Sequence, residues 1–166
     1  MGRYDYAGRE QNMVKARIHC ENMEKQHSQE IARSTMKTVL FNYDFVPHKD
    51  RPKTEEMTVL VEDLDSVAAV HKYAGEGKIA LLNFASYKAP GGKFLVGAMA
   101  QEEAICHEST LFNVLRRFGP TYYAWNQKNL NRGFYLNRAL YSPDILFKDV
   151  FCDVITCAAP NWGPAS

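Results

Sequence analysis

The stretch 83-NFASYKAPGGKFLVGAMAQEEAICHEST-110 decides how the rest of the chain is read. It grows out of a continuous apolar run, 78-KIALLNF-84, which predicts a strand buried on both faces. Its first punctuation, Ala89-Pro90-Gly91-Gly92, is a turn almost without side chains, and a glycine pair lets backbone N–H groups come close to an oxyanion. Its second, Gln101-Glu102-Glu103, opens a helical pattern whose apolar face holds Ala104, Ile105, Leu111, Phe112 and Leu115 and which Gly119-Pro120 closes. In open α/β sheets ligands sit beyond the carboxyl ends of the strands, so a strand ending at Asn83 delivers that residue and the glycine turn to such an edge. Glu102 and Glu103 then stand in a first helical turn, where the backbone dipoles favour anions. Gln-Glu-Glu alone is an ordinary helix start and Gly-Gly an ordinary turn. Their combination at this spacing, behind a buried strand, is what is specific.

Working towards the N-terminus, 57-MTVLVED-63 reads as a strand and 66-SVAAVHKYA-74 as a helix, capped by Asp63 or Asp65 and ended by Gly75 with Gly77. Strand, helix and buried strand in that order predict a parallel βαβ crossover in an α/β layer fold. Residues 8–36 contain no proline and predict one long helix with an imperfect stripe of Met13, Ala16, Ile18, Cys20, Met23, Ile31 and Ala32. Between them, 38-TVLFN-42 reads as a strand and 47-PHKDRPKTEE-56 as a solvated loop. Towards the C-terminus, residues 121–142 read as irregular, with a short helix and a strand near 136-LNRALY-141. Then 151-FCDVITCAAP-160 reads as a buried strand running into Asn161.

With 166 residues, 46% of them apolar and 23% charged, the chain has the balance of one globular domain able to bury a core. Its net charge of +1 offers no bulk attraction to DNA or to an acidic membrane, so an anionic ligand needs a local site. No apolar run is long enough to cross a bilayer and no signal-like segment opens the sequence, which predicts a cytoplasmic protein. Cys20, Cys106, Cys152 and Cys157 form no CxxC pair, so buried thiols are expected rather than a disulfide framework or a metal centre.

The stretch PGGKFLVGAMAQEE resembles the signature of the poly(ADP-ribose) glycohydrolases of the macrodomain superfamily: a triple-glycine loop followed after about seven residues by Gln-Glu-Glu. Phe94 to Ala100 are those residues here. The likeness is to the smaller bacterial-type enzymes and extends to NFA at 83–85, CHEST at 106–110, YSPDILF at 141–147 and ITCAAPN at 155–161. The resemblance implies a macrodomain-like α/β fold, a mixed sheet with flanking helices over residues 38–166, preceded by an N-terminal helical extension over residues 1–37. It further implies hydrolysis of ribose–ribose O-glycosidic bonds in poly(ADP-ribose), with release of ADP-ribose and no metal or other cofactor. Poly(ADP-ribose) or ADP-ribose is the expected ligand, and a monomer the expected state.

By position, the resemblance puts the acid and base of the cleavage on Glu103, and puts Glu102 and Asn83 on hydroxyls of the ribose at the scissile bond. It lays the Gly91 and Gly92 backbone along the diphosphate and lets Gln101 set the loop and the helix start. Chemistry of this kind needs a carboxyl that is protonated near neutral pH, so burial and the neighbouring Glu102 charge are expected to raise the Glu103 carboxyl. Secondary candidates are His107, more often packed or exposed than part of a site, Tyr122, Tyr123 and Trp125, more often core, and Asn161, which is evenly balanced between bordering the ligand and not.

Two departures from the family pattern stand out. Lys93 replaces the third loop glycine, where it offers a point charge to phosphate or, if the position requires a positive φ, costs roughly 1 kcal/mol or more. The family also continues past the strand matching 151–160 with a second glycine-rich phosphate loop and a stacking aromatic residue, so an N-terminal portion of a longer protein is expected. The alternatives are a binding module whose turnover Lys93 has impaired and a fragment that functions only within its parent.

Overall fold

The computed structural model describes residues 6–46 and 57–161. Two helices, α1 (Tyr6–Gln26) and α2 (Ser28–Lys37), lead into β1 (Val39–Phe41); α3 (Ser66–Lys72) precedes β2 (Ala80–Phe84). The short helices α4 (Gln101–His107), α5 (Leu111–Leu115) and α6 (Ala124–Lys128) follow, and β3 (Ala139–Phe147) and β4 (Val150–Cys157) complete a mixed sheet of order β1-β3-β4-β2. β2 runs parallel to β4, whereas β3 is antiparallel to both β1 and β4. Fold class and mixed sheet therefore agree with the expectation. The solvated loop expected over 47–56 lies outside the described residues.

One face of the sheet carries the core. Leu140, Ile145, Phe147 and Val154 meet Ile105, Leu111, Val114, Leu115, Tyr122 and Tyr123. Fully burying one such aliphatic side chain contributes about 1.5–3 kcal/mol. α1 and α2 add Ala16, Cys20 and Ile31 to this cluster, while Ile18 and Ala32 of the expected stripe stay exposed. Cys20, Cys106 and Cys152 are buried free thiols and Cys157 is partly buried.

Several expectations are corrected. The residues 57–61 form no strand: Val59, Leu60 and Val61 are 73%, 68% and 94% exposed, and no described strand lies beside them to pair with. A β-branched run is a strand only where a ladder receives it. The parallel partner of β2 is β4, so the crossover joins distant rather than successive strands. Among the described residues β2 is also an edge strand, with Leu82 and Phe84 facing outward at 46% and 64% exposure, not a strand buried on both faces.

The long N-terminal helix breaks at His27, which leaves helical geometry at φ −128° and ψ 31° and re-aims α2 so that Ile31 and Ser34 face the sheet. The helix expected from Gln101 onwards stops at His107. There Ser109 Oγ donates to Ile105 O at 2.8 Å, while Thr110 exchanges bonds with Leu146 of β3, its N–H to Leu146 O and its Oγ1 from Leu146 N. Such side chains compete with the helix ladder for backbone groups. Gly119-Pro120 does not end the run but opens a wide turn, Gly119–Tyr123, that feeds α6. Asp65 is the cap of α3, its Oδ1 accepting from Ala68 N at 2.8 Å. Among the described residues no helix is long and apolar enough to cross a membrane.

Candidate active site

Gly91 and Gly92 take left-handed conformations, φ 64° and 58°, which side chains rarely adopt. Space is equally decisive. A Cβ on Gly91 would lie 2.7 Å from Phe112 Cδ2, and one on Gly92 would lie 2.6 Å from Glu103 Oε1 and 2.9 Å from Glu102 Oε2. The bare backbone of Gly92 therefore faces both carboxylates at once. Two carboxyl oxygens this close to one point cannot flank a water in the way that pairs separated by about 6.5–9.5 Å do.

α4 delivers the pair. Its third residue, Glu103, reaches back so that Oε2 accepts from Ala100 N at 3.1 Å, which is the carboxylate half of a capping box. Its other oxygen accepts from Lys93 N at 2.8 Å, so Glu103 ties the start of the helix to the glycine turn. Glu102 accepts from Ser86 N at 2.7 Å and from Asn83 Nδ2 at 3.3 Å. Both carboxyls are buried, at 3% and 6% exposure. Burial, reinforced by the neighbouring Glu103 charge, pushes the Glu102 carboxyl up from 4.5 to about 7, against the hydrogen bonds from Ser86 and Asn83.

Asn83 is fully buried at the end of β2 and also donates to Thr156 Oγ1 of β4 at 3.3 Å. Its Oδ1 is buried with no hydrogen-bond partner among the described residues, an acceptor left open beside the carboxylates. The Tyr123 hydroxyl is likewise buried without a partner. Asn83, Gly91, Gly92, Glu102 and Glu103 thus converge.

Gln101 does not join them. Its Oε1 accepts from Phe84 N at 2.8 Å, and its Nε2 donates to Leu82 O at 2.8 Å and Ser66 Oγ at 3.1 Å. The amide stitches the outer edge of β2 to α3 and fixes where α4 begins. Lys93 has φ −105°, so the strain considered for a side chain there does not arise. Its side chain is exposed, and its N–H is the group that matters to Glu103.

The secondary candidates divide. His107 packs edge-on against Phe94 at 4.6 Å, with its ring held towards the neutral form by burial. Trp125 stacks on Tyr43, Tyr122 donates to Arg138 O, and Asn161 donates its N–H to Gly133 O. Sequence reasoning missed the contribution of α1. Arg9 Nε donates to Val96 O at 2.7 Å, and Asn12 Nδ2 reaches Gly97 O at 3.5 Å. Gly97, at φ 80°, leaves no room for a Cβ, which would stand 2.2 Å from Arg9 O. Arg9, Asn12, Lys93 and Gly97 line a cavity of about 400 Å³ beside the turn. No local pattern in 8–36 could have disclosed contacts that close a loop of more than 80 residues.

Comparison with known proteins adds the relationship. Residues 9–149 match the sequence profile described as the microbial-type PARG catalytic domain. The solved poly(ADP-ribose) glycohydrolase of Thermomonospora curvata superposes with a TM-score of 0.72 at 25% identity, covering 92% of this chain and 65% of that one. The same enzyme bound to the inhibitor ADP-HPD gives a TM-score of 0.71 at 26% identity. The Deinococcus radiodurans poly(ADP-ribose) glycohydrolase in complex with ADP-ribose gives 0.67 at 29% identity, over 80% of this chain and 58% of that one. The chain thus spans roughly three-fifths to two-thirds of the length of these structures. A search of curated protein sequences gave no significant match.

Proposed function

This chain belongs to the microbial-type PARG catalytic-domain family, and from that premise we propose that it hydrolyses ribose–ribose O-glycosidic bonds of poly(ADP-ribose) to release ADP-ribose. The observation that carries the reading is the bare Gly92 backbone facing Glu102 and Glu103, with the open acceptor of Asn83 beside them. The diphosphate of a terminal unit lies along Gly91 and Gly92, and Asn83 and Glu102 hold hydroxyls of the ribose at the scissile bond. Glu103 donates a proton to the departing ribose oxygen as the C1–O bond breaks and an oxocarbenium-like centre develops. Its carboxylate then takes a proton from the water that attacks C1, which regenerates the acid. Glu102, neutral or charged near pH 7, decides the charge that Glu103 faces. The extension over residues 1–37, whose described part is α1 and α2, braces the loop between Gly92 and Gln101 through Arg9.

ADP-ribose release from labelled polymer tests this. Glu103→Gln, which keeps the shape and the acceptor oxygen, is expected to lower release by about 100-fold or more. Release that is undiminished in this variant would sink the assignment. Polymer binding without release from the unaltered chain would instead identify a binding module. The remaining proposals about the whole protein are a cytoplasmic setting, a monomeric state and no affinity for DNA.

A further inference from the structure

Arg138, just before β3, is 5% exposed, yet no carboxylate among the described residues lies within ion-pair distance of it. Its Nε donates to Asn42 Oδ1 at 2.9 Å and its Nη1 to Asn126 Oδ1 at 2.6 Å and Tyr122 O at 3.1 Å. The guanidinium lies 4.2 Å over the Trp125 ring and 5.1 Å from that of Tyr122. Neutral acceptors and ring faces orient the cation without neutralising it, and Nη2 has no partner among the described residues. Burial accordingly lowers its pKa. A buried charge without a counter-charge is costly to a fold, and an arginine held in this way is a preformed anion receptor.

Arg138 lines a cavity of about 480 Å³, within the roughly 300–1,000 Å³ of small-molecule sites. Phe41 and Phe45, an edge-to-face pair with centroids 4.7 Å apart, line the same cavity, as do Asn42 and Asn137. Cys157, which also lines it, is paired with Phe84, so the cavity opens at the same end of the sheet as Asn83. One cation, an aromatic wall and two amides suit an anion that carries a flat, polar-edged ring. We propose that this cavity is a mononucleotide-binding site, with the phosphate on Arg138, the base against Phe41 and Phe45, and the Asn42 and Asn137 amides on its polar edge. The assignment goes beyond the proposed hydrolysis and does not depend on it.

Trp125, in contact with Arg138, is a built-in reporter, and the chain has only one other tryptophan, Trp162. In the Trp162→Phe chain, adenosine monophosphate is expected to change Trp125 emission saturably. Adenosine and inorganic phosphate, each lacking half of the recognised chemistry, are expected to act at least about tenfold more weakly. Asn137→Asp alters an exposed position and places a carboxylate at the mouth. It is expected to weaken the response by about tenfold or more. Arg138→Lys, checked for folding by near-ultraviolet circular dichroism, keeps the charge but loses the planar fork and is expected to abolish it. No response to adenosine monophosphate at millimolar concentration would overturn the proposal. So would an equal response to adenosine or to phosphate, or a response unchanged in Asn137→Asp.

Discussion

The backbone N–H of Lys93 bonds Glu103 Oε1 at 2.8 Å while its side chain stands in solvent. The residue that most disturbs the glycine pattern therefore serves the carboxylate through a group that every residue except proline possesses. With φ −105° the position asks nothing that only glycine provides. Lys93→Gly is expected to alter polymer turnover by no more than ~0.5 kcal/mol, about twofold, because the N–H remains. It is also expected to lower stability by roughly 0.5–1 kcal/mol through the freer unfolded chain. Steady-state kinetics and a denaturant titration read the two effects separately.

Gly92 should behave in the opposite way. Alanine there meets both a positive φ of 58° and the two carboxyl oxygens at 2.6 and 2.9 Å. The conformation alone costs about 1–2 kcal/mol. Displacing a reacting carboxylate by the width of a methyl group is expected to lower kcat/KM for polymer by about 100-fold. Wild-type kinetics in Gly92→Ala would show that the carboxylates are not the reacting groups.

Glu102 sets a pH dependence of stability. Below about pH 4.5 its carboxyl is neutral in both the folded and the unfolded chain. Between 4.5 and about 7 the unfolded chain has released the proton and the folded chain still holds it, so stability falls as pH rises. Above about 7 the loss is complete, at up to about 3 kcal/mol. Thermal unfolding from pH 4 to 8 should therefore show a declining component that Glu102→Gln removes. A slope shared by both proteins would place its source elsewhere.

Arg9 braces the loop before α4 from a distance of 87 residues in sequence, through the bond to Val96 O. Arg9→Ala is expected to cost about 1 kcal/mol for that bond and to speed hydrogen exchange in the segment 94–98. Exchange at β3 and β4 should stay unchanged, which distinguishes local release of the loop from general destabilisation.

Much of the site was legible in sequence because its parts are local. Asn83, the glycine pair and the carboxylate pair fall within 21 consecutive residues, and a left-handed turn and a first helical turn are each written in a few residues. The pairing of strands was not legible. The residues 57–61 and β2 carry similar apolar runs, yet the first finds no partner among the described residues and the second finds β4, some 70 residues on. Local propensity is a weak guide where the partner strand decides. Gln101 illustrates the same limit, since nothing in Gln-Glu-Glu discloses that its amide closes the outer edge of β2.

By itself, then, the sequence determined the elements and the chemistry available at their ends: glycines where the backbone must turn left-handed, carboxylates at a helix start and an asparagine at a strand end. Tertiary structure alone decided which of these groups share one volume and which do not. Burial raised Glu102 towards neutrality, α1 locked the loop before α4, and Arg138 was enclosed without a counter-charge among the described residues. Each of these depends on contacts between residues far apart in the chain, and water excluded by those contacts is what gives buried charges and unpaired acceptors their force.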